Sequence, residues 1–548
     1  MNLSEELKKL VSGDVVSTEE ARTTYSHDAS LFEIKPEVIV YPKNVDDLCH
    51  IVNYVVENKS KNPNLSLTAR SGGTDMSGGA INDSIILAFD KYFNQLGDVQ
   101  GTQITTQPGV YYHDFEPKTL AHNLIFPSYP ASREICMMGG IVNNNSGGEK
   151  SLTYGKTERY VKQVKMVLAD GKEHTIKPLA GEELKAKLAE EGFEGDLYRT
   201  IFQILQEDEK IIKESKPQVS KNSTGYNVWD AWDGTTLDLT KLIVGAQGTL
   251  GLMTEATFDL VPAKSMSGMI VIFMSSLKGL GEIINALLPL KPSTLESFDD
   301  HTLQFAFRFF YSFRKTLGWK KFLLLGMSFI PVLRNVIRYL PHFPKLVMMA
   351  EFEGNSQEEI DAKLTLVENA MKPFDVSLQR AEDKHHEEKF WTVRRESFNL
   401  LRKNVKHKHT APFIDDLIVP PQHLPEFLPT LIEILERYKL LYTIAGHMGD
   451  GNFHIIPLMD LSIPTEREKI PLVLNEVTTL VLKYNGSLSG EHNDGLIRGP
   501  FLPKMYSPEI IDLFKQIKKT FDPLGIFNPH KKTSAEWDYS KNHIRQGF

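Results

Sequence analysis

The chain contains 548 residues, which is enough for two or three domains with a substantial core. Its formal net charge of −8 at pH 7 argues against a general nucleic-acid-binding protein. Its only cysteines, Cys49 and Cys136, exclude a disulfide framework and an iron–sulfur cluster held by this chain's own cysteines, and fit a reducing compartment. The first residues show no apolar secretion signal, and no uncharged apolar run is long enough to span a bilayer, so we expect a cytoplasmic protein.

Short β-rich runs alternate with helical runs through the first half of the chain, which predicts a mixed α/β body of about 260 residues. A second unit begins near residue 267. The predicted strands are residues 38–41, 65–69, 84–88, 269–273 and 347–352, and the predicted helices are residues 45–57 (beginning after Asn44), 357–371 and 507–520.

Three glycine-rich segments follow strands in the first half: Arg70–Gly79, Met138–Gly148 and Leu242–Gly251, here called the first, second and third glycine clusters. The first is not a Walker loop, because no Lys-Ser/Thr pair follows its glycines, and it does not match a GxGxxG motif opening a helix. Glycines allow backbone N–H groups to approach a pyrophosphate closely. Three clusters at strand ends therefore favour a long ligand such as the dinucleotide FAD, while unrelated loops of one α/β domain are the alternative.

The segment His301–Lys345 differs sharply from the rest of the chain. It contains eight Lys or Arg residues, eleven aromatic residues and no Asp or Glu. Two interpretations remain open. The segment is either a helical insertion packed on the second unit with solvated cations, or a peripheral contact with an anionic membrane, such as the inner face of the cell membrane.

Three histidines stand in a pattern typical of a metal site. Apolar runs on either side of Gly449-Asp-Gly451 predict a hairpin that brings His447 and His454 together. Glu491 completes a set of two histidines and one carboxylate with open positions, which suits a divalent metal, zinc or manganese. His492 is left beside the metal as an unbound base. The alternative is three ordinary histidines in loops.

Together these motifs resemble the FAD-linked oxidase family, whose FAD domain is of the vanillyl-alcohol-oxidase (p-cresol methylhydroxylase) type, and its branch of D-lactate, glycolate and D-2-hydroxyglutarate dehydrogenases. The resemblance runs from about residue 36 to 531, where residues 522–531 are similar to the family's closing motif. It implies an α+β fold with three parts. These are a two-subdomain mixed α/β FAD-binding domain (1–265), an α+β substrate or cap domain with an antiparallel sheet (266–510, with the insertion 301–345), and a C-terminal segment (511–548) that returns to the flavin.

The resemblance implies FAD bound without a covalent link, because Thr74 stands near the place where flavinylating members carry a histidine. The residues that it assigns to FAD are Arg70, Ser71, Gly72, Gly73, Thr74, Asp75, Ser77 and Gly78 in the first cluster, Pro127 before the second, Gly139, Gly140, Asn143, Ser146, Gly147 and Gly148 in the second, Gly248, Thr249, Gly251 and Thr254 in and after the third, and Asn528 in the closing motif.

The family's metal ligands correspond to His447, His454 and Glu491, and its active-site histidine corresponds to His492. Residues 391–394 resemble a Trp-x-x-Arg motif whose arginine clamps the substrate carboxylate. The planar guanidinium group of an arginine suits that role, because it can pair with both oxygens of a carboxylate. Without the resemblance, Arg394 would be predicted to form a salt bridge on a surface helix.

This sequence departs from the branch at several positions. Asn493 replaces a glycine, which we expect to add bulk beside the base. Other replacements are Ala246-Gln247 for Ser-Glu and His530 for a glycine. Ile456 and Ile414 stand where the D-2-hydroxyglutarate enzymes use a substrate-binding Asn and Lys. Both changes remove polar partners for a second carboxylate, so we expect a monocarboxylate substrate such as D-lactate.

The sequence therefore predicts FAD-dependent, metal-assisted oxidation of a D-2-hydroxy acid to the 2-oxo acid, with a quinone or a protein as electron acceptor. Two alternatives stay open. One is a transferase similar to alkylglycerone-phosphate synthase, whose branch carries three histidines where this chain has Glu491-His492-Asn493. The other is an FAD-bound subunit of a larger complex that needs an iron–sulfur partner.

Overall fold

The structure, a computed structural model, describes residues 2–300, 344–384, 386–388, 390–395 and 408–547. The basic aromatic segment predicted at 301–345 lies outside the described residues except for Pro344 and Lys345. Lys345 forms an ion pair with Asp300, with 2.8 Å between Nζ and Oδ2. Among the residues that the structure describes, no helix is both long and apolar enough to cross a membrane.

Two four-stranded sheets form the framework of the first half. The strands are β1 (Asp14–Val16), β2 (Val38–Tyr41), β3 (Leu67–Arg70), β4 (Ile85–Ala88), β5 (Gln103–Thr106), β6 (Leu124–Ile125), β7 (Val161–Val167), β8 (Glu173–Ile176), β9 (Leu179–Ala180), β10 (Thr236–Leu237), β11 (Leu252–Asp259) and β12 (Val261–Pro262). The first sheet has the order β1-β2-β4-β3, in which β2 and β3 run parallel to β4. The second is antiparallel with the order β5-β11-β7-β8, and two short pairs, β6 with β12 and β9 with β10, accompany it.

Ten helices accompany these sheets in the described first half: α1 (Leu3–Leu10), α2 (Glu19–Thr24), α3 (Val45–Asn58), α4 (Tyr112–Leu120), α5 (Met138–Asn144), α6 (Ser151–Tyr154), α7 (Gly181–Ala189), α8 (Phe193–Glu207), α9 (Glu209–Glu214) and α10 (Thr240–Ile243). Helix α3 confirms the prediction made from Asn44, whose side chain accepts a hydrogen bond from the backbone N–H of Asp47. Its buried Leu48, Ile51 and Val55 recur every three or four residues, so one face packs into the core.

An eight-stranded antiparallel sheet forms the second half. Its strands are β13 (Met266–Met274), β14 (Thr294–Asp299), β15 (Leu346–Gly354), β16 (Val376–Arg380), β17 (His409–Thr410), β18 (Leu417–Ile418), β19 (Leu441–His447) and β20 (Asn452–Met459). The order is β16-β13-β15-β14-β19-β20-β17, and β18 also pairs with β20. The described helices of this half are α11 (Leu280–Leu287), α12 (Gln357–Met371), α13 (Leu424–Arg437), α14 (Pro464–Lys483), α15 (Gly495–Arg498), α16 (Leu502–Met505), α17 (Pro508–Phe521) and α18 (Trp537–Asn542), and residues 390–395 are also helical.

The two faces of the large sheet carry different side chains. Successive side chains of a strand point to opposite sides, so one face can be apolar and the other polar. One face carries apolar residues such as Ile270, Met348 and Ile455, which pack in one core with α11 to α14. On the other face, Glu296 lies opposite His447, and Ala445 lies opposite His454. The register of the sheet thus gathers the polar residues on the face turned towards the first half, and the α+β fold class is confirmed.

The C-terminal segment returns to the first half. The backbone of Leu67 in β3 exchanges hydrogen bonds with Ile526 and Asn528, so the closing motif extends the edge of the first sheet. The Asn528 amide donates to the carbonyl oxygens of Gly79 and Gln247. Asn528 therefore ties the first glycine cluster to the third.

Candidate active site

A cavity of about 870 Å³ lies between the two halves. The three glycine clusters line one side of it, and the polar face of the large sheet lines the other. A volume of this size is typical of cofactor and substrate sites.

The glycine side of the cavity, here called the glycine wall, contains most of the residues predicted for FAD. These are Arg70, Ser71, Gly72, Gly73, Thr74, Asp75, Gly139, Gly140, Asn143, Ser146, Gly147, Gly248 and Gly251. The glycine wall fits a ligand held closely by backbone. A Cβ atom added to Gly140 would meet only the Ser71 side chain, at 3.9 Å, and so would project into space that a ligand could fill.

The other residues predicted for FAD do not line the cavity: Ser77, Gly78, Pro127, Gly148, Thr249, Thr254 and Asn528. The contacts of two of them connect neighbouring parts of the first half. Ser77 donates to Asp75, and Thr254 in β11 donates to Glu173 in β8 of the same sheet.

Sequence reasoning missed wall residues outside the glycine clusters. Thr24 at the end of α2 lines the cavity, as do His27, Asp28 and Ala29 after this helix and the loop 130–137. Neither segment carries a repeated glycine signal, so nothing local marked them.

The opposite side, here called the histidine wall, consists of His447, His454, Glu491, His492 and Asp415. Strands β19 and β20 form the predicted hairpin, and its turn contains Gly451 with a φ of 69°, a conformation that favours glycine. The Nε2 atoms of His447, His454 and His492 lie 3.0, 3.3 and 3.8 Å from one oxygen of Glu491, Oε1. The three imidazoles therefore converge on one carboxylate oxygen.

Carboxylates hold the other nitrogen of each ring. The Nδ1 atom of His447 is hydrogen-bonded to Glu296, and the Nδ1 atoms of His454 and His492 are bonded to the two oxygens of Asp415. A carboxylate on Nδ1 fixes the tautomer and directs Nε2 to a common centre, an arrangement found behind metal-binding histidines. Glu296 and Asp415 were not predicted from the sequence.

The donor set fits a divalent metal. Ligand atoms about 2.0–2.1 Å from a tetrahedral centre are about 3.3–3.4 Å from one another. The distances of His447 and His454 to Glu491, 3.0 and 3.3 Å, are close to that value. A second grouping overlaps with this set: ligand atoms of Asp416, His454, Glu491 and His492 lie within 4.8 Å of one another. Asp416 is better placed to orient the turn than to bind a metal. Its oxygens already accept hydrogen bonds from Ser489 and from the backbone N–H groups of Glu491 and His492, so it orients this turn.

The electrostatics of the histidine wall match a site for a cation. Burial opposes charge here, but the surrounding imidazoles and lysine hold the pKa of Glu491 well below its usual range, and the histidines do the same for Asp415. Burial also opposes the protonation of His454, yet hydrogen bonds to Asp415 and Glu491 outweigh it and raise the pKa to about 10.

Arg394 lies in the cavity wall, with its side chain 12% exposed and Nη2 at 3.3 Å from Glu296. The neighbouring Arg395 donates two hydrogen bonds to Glu149 and lies over the Trp391 ring. Arg394 is therefore placed towards the cavity rather than on an outer helix face.

Two of the departures have structural explanations. Asn493 has a φ of 71°, so the position favours glycine, and asparagine tolerates it better than most residues. Its amide donates to the carbonyl oxygens of Gly245 and Asn144. The expectation that it adds bulk beside His492 is wrong, because its side chain is engaged elsewhere.

The two isoleucines lie in different environments. Ile456 lines the cavity opposite Thr443 in the hairpin, so it contributes an apolar surface beside His454. Ile414 instead lies in the apolar core of the second half, fully buried. Only Ile456 supports the expectation of a less polar pocket.

Comparisons with known proteins agree with this architecture. Residues 36–177 match an FAD-binding domain family, and residues 280–532 match the C-terminal domain of FAD-linked oxidases. A D-2-hydroxyglutarate dehydrogenase from Pseudomonas putida is 26% identical over 95% of this chain, and a D-lactate dehydrogenase from Archaeoglobus fulgidus is 25% identical over 90% of both chains. The chain spans about half the length of the Pseudomonas protein.

Solved structures show the same fold. A p-cresol methylhydroxylase with bound substrate superposes with a TM-score of 0.65 at 15% identity, covering 98% of this chain and 96% of the other. An alkyldihydroxyacetonephosphate synthase superposes with a TM-score of 0.64 at 16% identity, covering 96% and 84%.

Proposed function

The chain belongs to the FAD-linked oxidase family, and from this premise we propose that it oxidises a D-2-hydroxy monocarboxylate such as D-lactate to the 2-oxo acid. The observation that carries the proposal is the convergence of three imidazole Nε2 atoms on Glu491 Oε1, inside a cavity that the glycine wall shares. Relatives named as 2-hydroxy acid dehydrogenases support the reaction class.

FAD would lie along the glycine wall, without a covalent link, since Thr74 offers no ring nitrogen to the flavin. When bound, FAD supplies the two-electron acceptor. The backbone of the three clusters would hold it, with Ser71 and Thr74 as hydroxyl donors.

His447, His454 and Glu491 would hold one divalent metal, zinc or manganese. When bound, the metal supplies Lewis-acid polarisation of the substrate's 2-hydroxyl group. Glu296 and Asp415 keep the two imidazoles turned towards it.

His492 would accept the proton of the 2-hydroxyl at Nε2, while Asp415 holds its Nδ1 and stabilises the imidazolium that forms. Arg394 would bind the substrate carboxylate through its planar fork. Both residues line the same cavity. The chain's own groups thus orient the acid and remove one proton.

Thr443, Ala445 and Ile456 line the cavity next to His454. Their small or apolar side chains favour a substrate with a short apolar substituent over one with a second carboxylate. The proposed substrate therefore differs from the D-2-hydroxyglutarate named for the Pseudomonas relative.

The proposal is tested by mixing the purified FAD-containing protein anaerobically with D-lactate, L-lactate or D-2-hydroxyglutarate and following the flavin absorbance. D-lactate should bleach the flavin fastest. Equal or faster bleaching by D-2-hydroxyglutarate would contradict the monocarboxylate assignment. No bleaching by any 2-hydroxy acid would favour a transferase similar to the alkyldihydroxyacetonephosphate synthase, which has the same fold as this chain.

The electron acceptor would be a quinone or a protein, including an iron–sulfur partner in a larger complex. The basic aromatic segment 301–345, of which the structure describes Pro344 and Lys345, would bring the enzyme to an anionic membrane surface. Sedimentation with liposomes should therefore increase with anionic lipid and decrease with salt. Protein that stays in the supernatant with acidic liposomes at low salt would favour a soluble protein acceptor.

A further inference from the structure

Lys221 is a fully buried lysine of the first half that contacts the proposed metal carboxylate. It lies in the loop between α9 and residue 228, and its side chain is 1% exposed. Its Nζ atom is 3.1 Å from Glu491 Oε2, 3.5 Å from Asp450 Oδ2 and 3.2 Å from the Ser151 hydroxyl. An ammonium group this deeply buried requires such partners.

The two oxygens of Glu491 face different neighbours. Oε1 faces the imidazoles of the histidine wall, whereas Oε2 faces Lys221. Gly147 closes the space behind Oε2, since a Cβ atom added there would lie 2.7 Å from it. The backbone N–H of Glu491 is held by Asp416. The carboxylate is therefore fixed at its backbone and at one oxygen.

Lys221 also reaches the hairpin that carries the histidines. Asp450 belongs to the turn between β19 and β20. The Ser151 hydroxyl, which also contacts Lys221, lies 3.4 Å from the Asp450 carboxylate. The Lys221 ammonium group thus connects two groups. One is Asp450 in the turn between His447 and His454, and the other is the Glu491 carboxylate, which faces both imidazole rings.

We propose that Lys221 is a positioning residue that occupies Glu491 Oε2 and leaves Oε1 as the single oxygen ligand of the metal. The inference rests on the metal site of the proposed function. Without the ammonium group, Glu491 can turn and offer both oxygens, so both the affinity and the coordination number change.

The test is a titration of the FAD-containing, metal-depleted protein with cobalt(II) chloride, using wild type, Lys221→Met and Lys518→Met. Lys518 is the matched control, because its side chain is also largely buried and pairs with a carboxylate, that of Asp522 instead of Glu491. Lys221→Met should bind cobalt about 10–100-fold more weakly, the usual effect of removing a partner behind a metal ligand. Lys518→Met should bind cobalt as wild type does.

The red absorption of bound cobalt(II), beyond that of the flavin, reports the coordination number, because four-coordinate cobalt absorbs more strongly than five- or six-coordinate cobalt. Lys221→Met should weaken this absorption at saturating metal. A variant with wild-type affinity and spectrum would overturn the role of Lys221 while leaving the metal site standing. Wild type that binds no cobalt would instead overturn the metal site itself.

If Lys221→Met loses FAD and folds poorly, Lys221→Arg tests the proposal in its place. This variant keeps the buried charge but changes the contact geometry at Glu491 Oε2. It should retain FAD and still bind cobalt at least about tenfold more weakly. Wild-type cobalt affinity in Lys221→Arg would show that only the charge matters and would overturn the proposal.

Discussion

The glycine wall and the histidine wall enclose one cavity but are built on different principles. The glycine wall is made of backbone and small side chains, with ligand-sized space beside residues such as Gly140. The histidine wall is a network of buried charges, in which every imidazole has a carboxylate on its second nitrogen. The first kind of wall fits a large cofactor by shape, and the second positions a few atoms for proton and metal chemistry.

Replacing His492 should separate the two walls most strongly. We expect His492→Ala to keep FAD and metal but to slow flavin reduction by D-lactate about 10²–10⁴-fold, the usual contribution of a positioned base. Anaerobic single-turnover mixing measures this rate, and the flavin spectrum and metal content serve as controls. A rate equal to that of wild type would show that His492 is not the base.

A change of pH should alter metal binding at the histidine wall. The pKa of His454, raised to about 10 by Asp415 and Glu491 despite burial, means that below this pH a metal must displace a proton. Metal affinity should therefore fall about tenfold for each unit of decreasing pH per proton displaced. Titration with zinc at pH 6 and pH 8 measures the slope, and a pH-independent affinity would contradict the ligand role of His454.

A substitution of Arg394 tests how the cavity binds the substrate carboxylate. Arg394→Lys should raise KM for D-lactate about tenfold with a smaller change in kcat, because lysine keeps the charge but loses the two-pronged geometry. Steady-state kinetics with an artificial acceptor would show this. Unchanged KM would remove Arg394 from carboxylate binding.

The two walls also differ in how far the sequence predicted them. The glycine clusters and the hairpin are local patterns, so their place in the cavity could be anticipated from residues such as Gly140 and Gly451. Glu296 lies 151 residues before its partner His447, and Lys221 lies 270 residues before Glu491. Contacts of this kind arise from the register of the large sheet and the packing of the two halves, which no local pattern encodes.

The lack of a local signal for side-chain direction also explains why some residues predicted at the cavity do not line it. Asn528 was expected at the flavin, and its amide instead joins Gly79 to Gln247. Ile414 was expected to shape the substrate pocket, and it packs in the core. A motif locates a segment near a site, but the direction of each side chain depends on strand register and turn conformation.

The proposed function depends on one divalent metal held by His447, His454 and Glu491 at the histidine wall. Elemental analysis of purified wild type, His454→Ala and the control His174→Ala measures whether that metal is present. His174 lies between Asp170 and Glu194 on the second sheet, away from the histidine wall. We expect about one divalent metal per chain in wild type and in His174→Ala, and loss of metal with retained FAD in His454→Ala. Equal metal content in all three proteins would show that His454 is not a metal ligand.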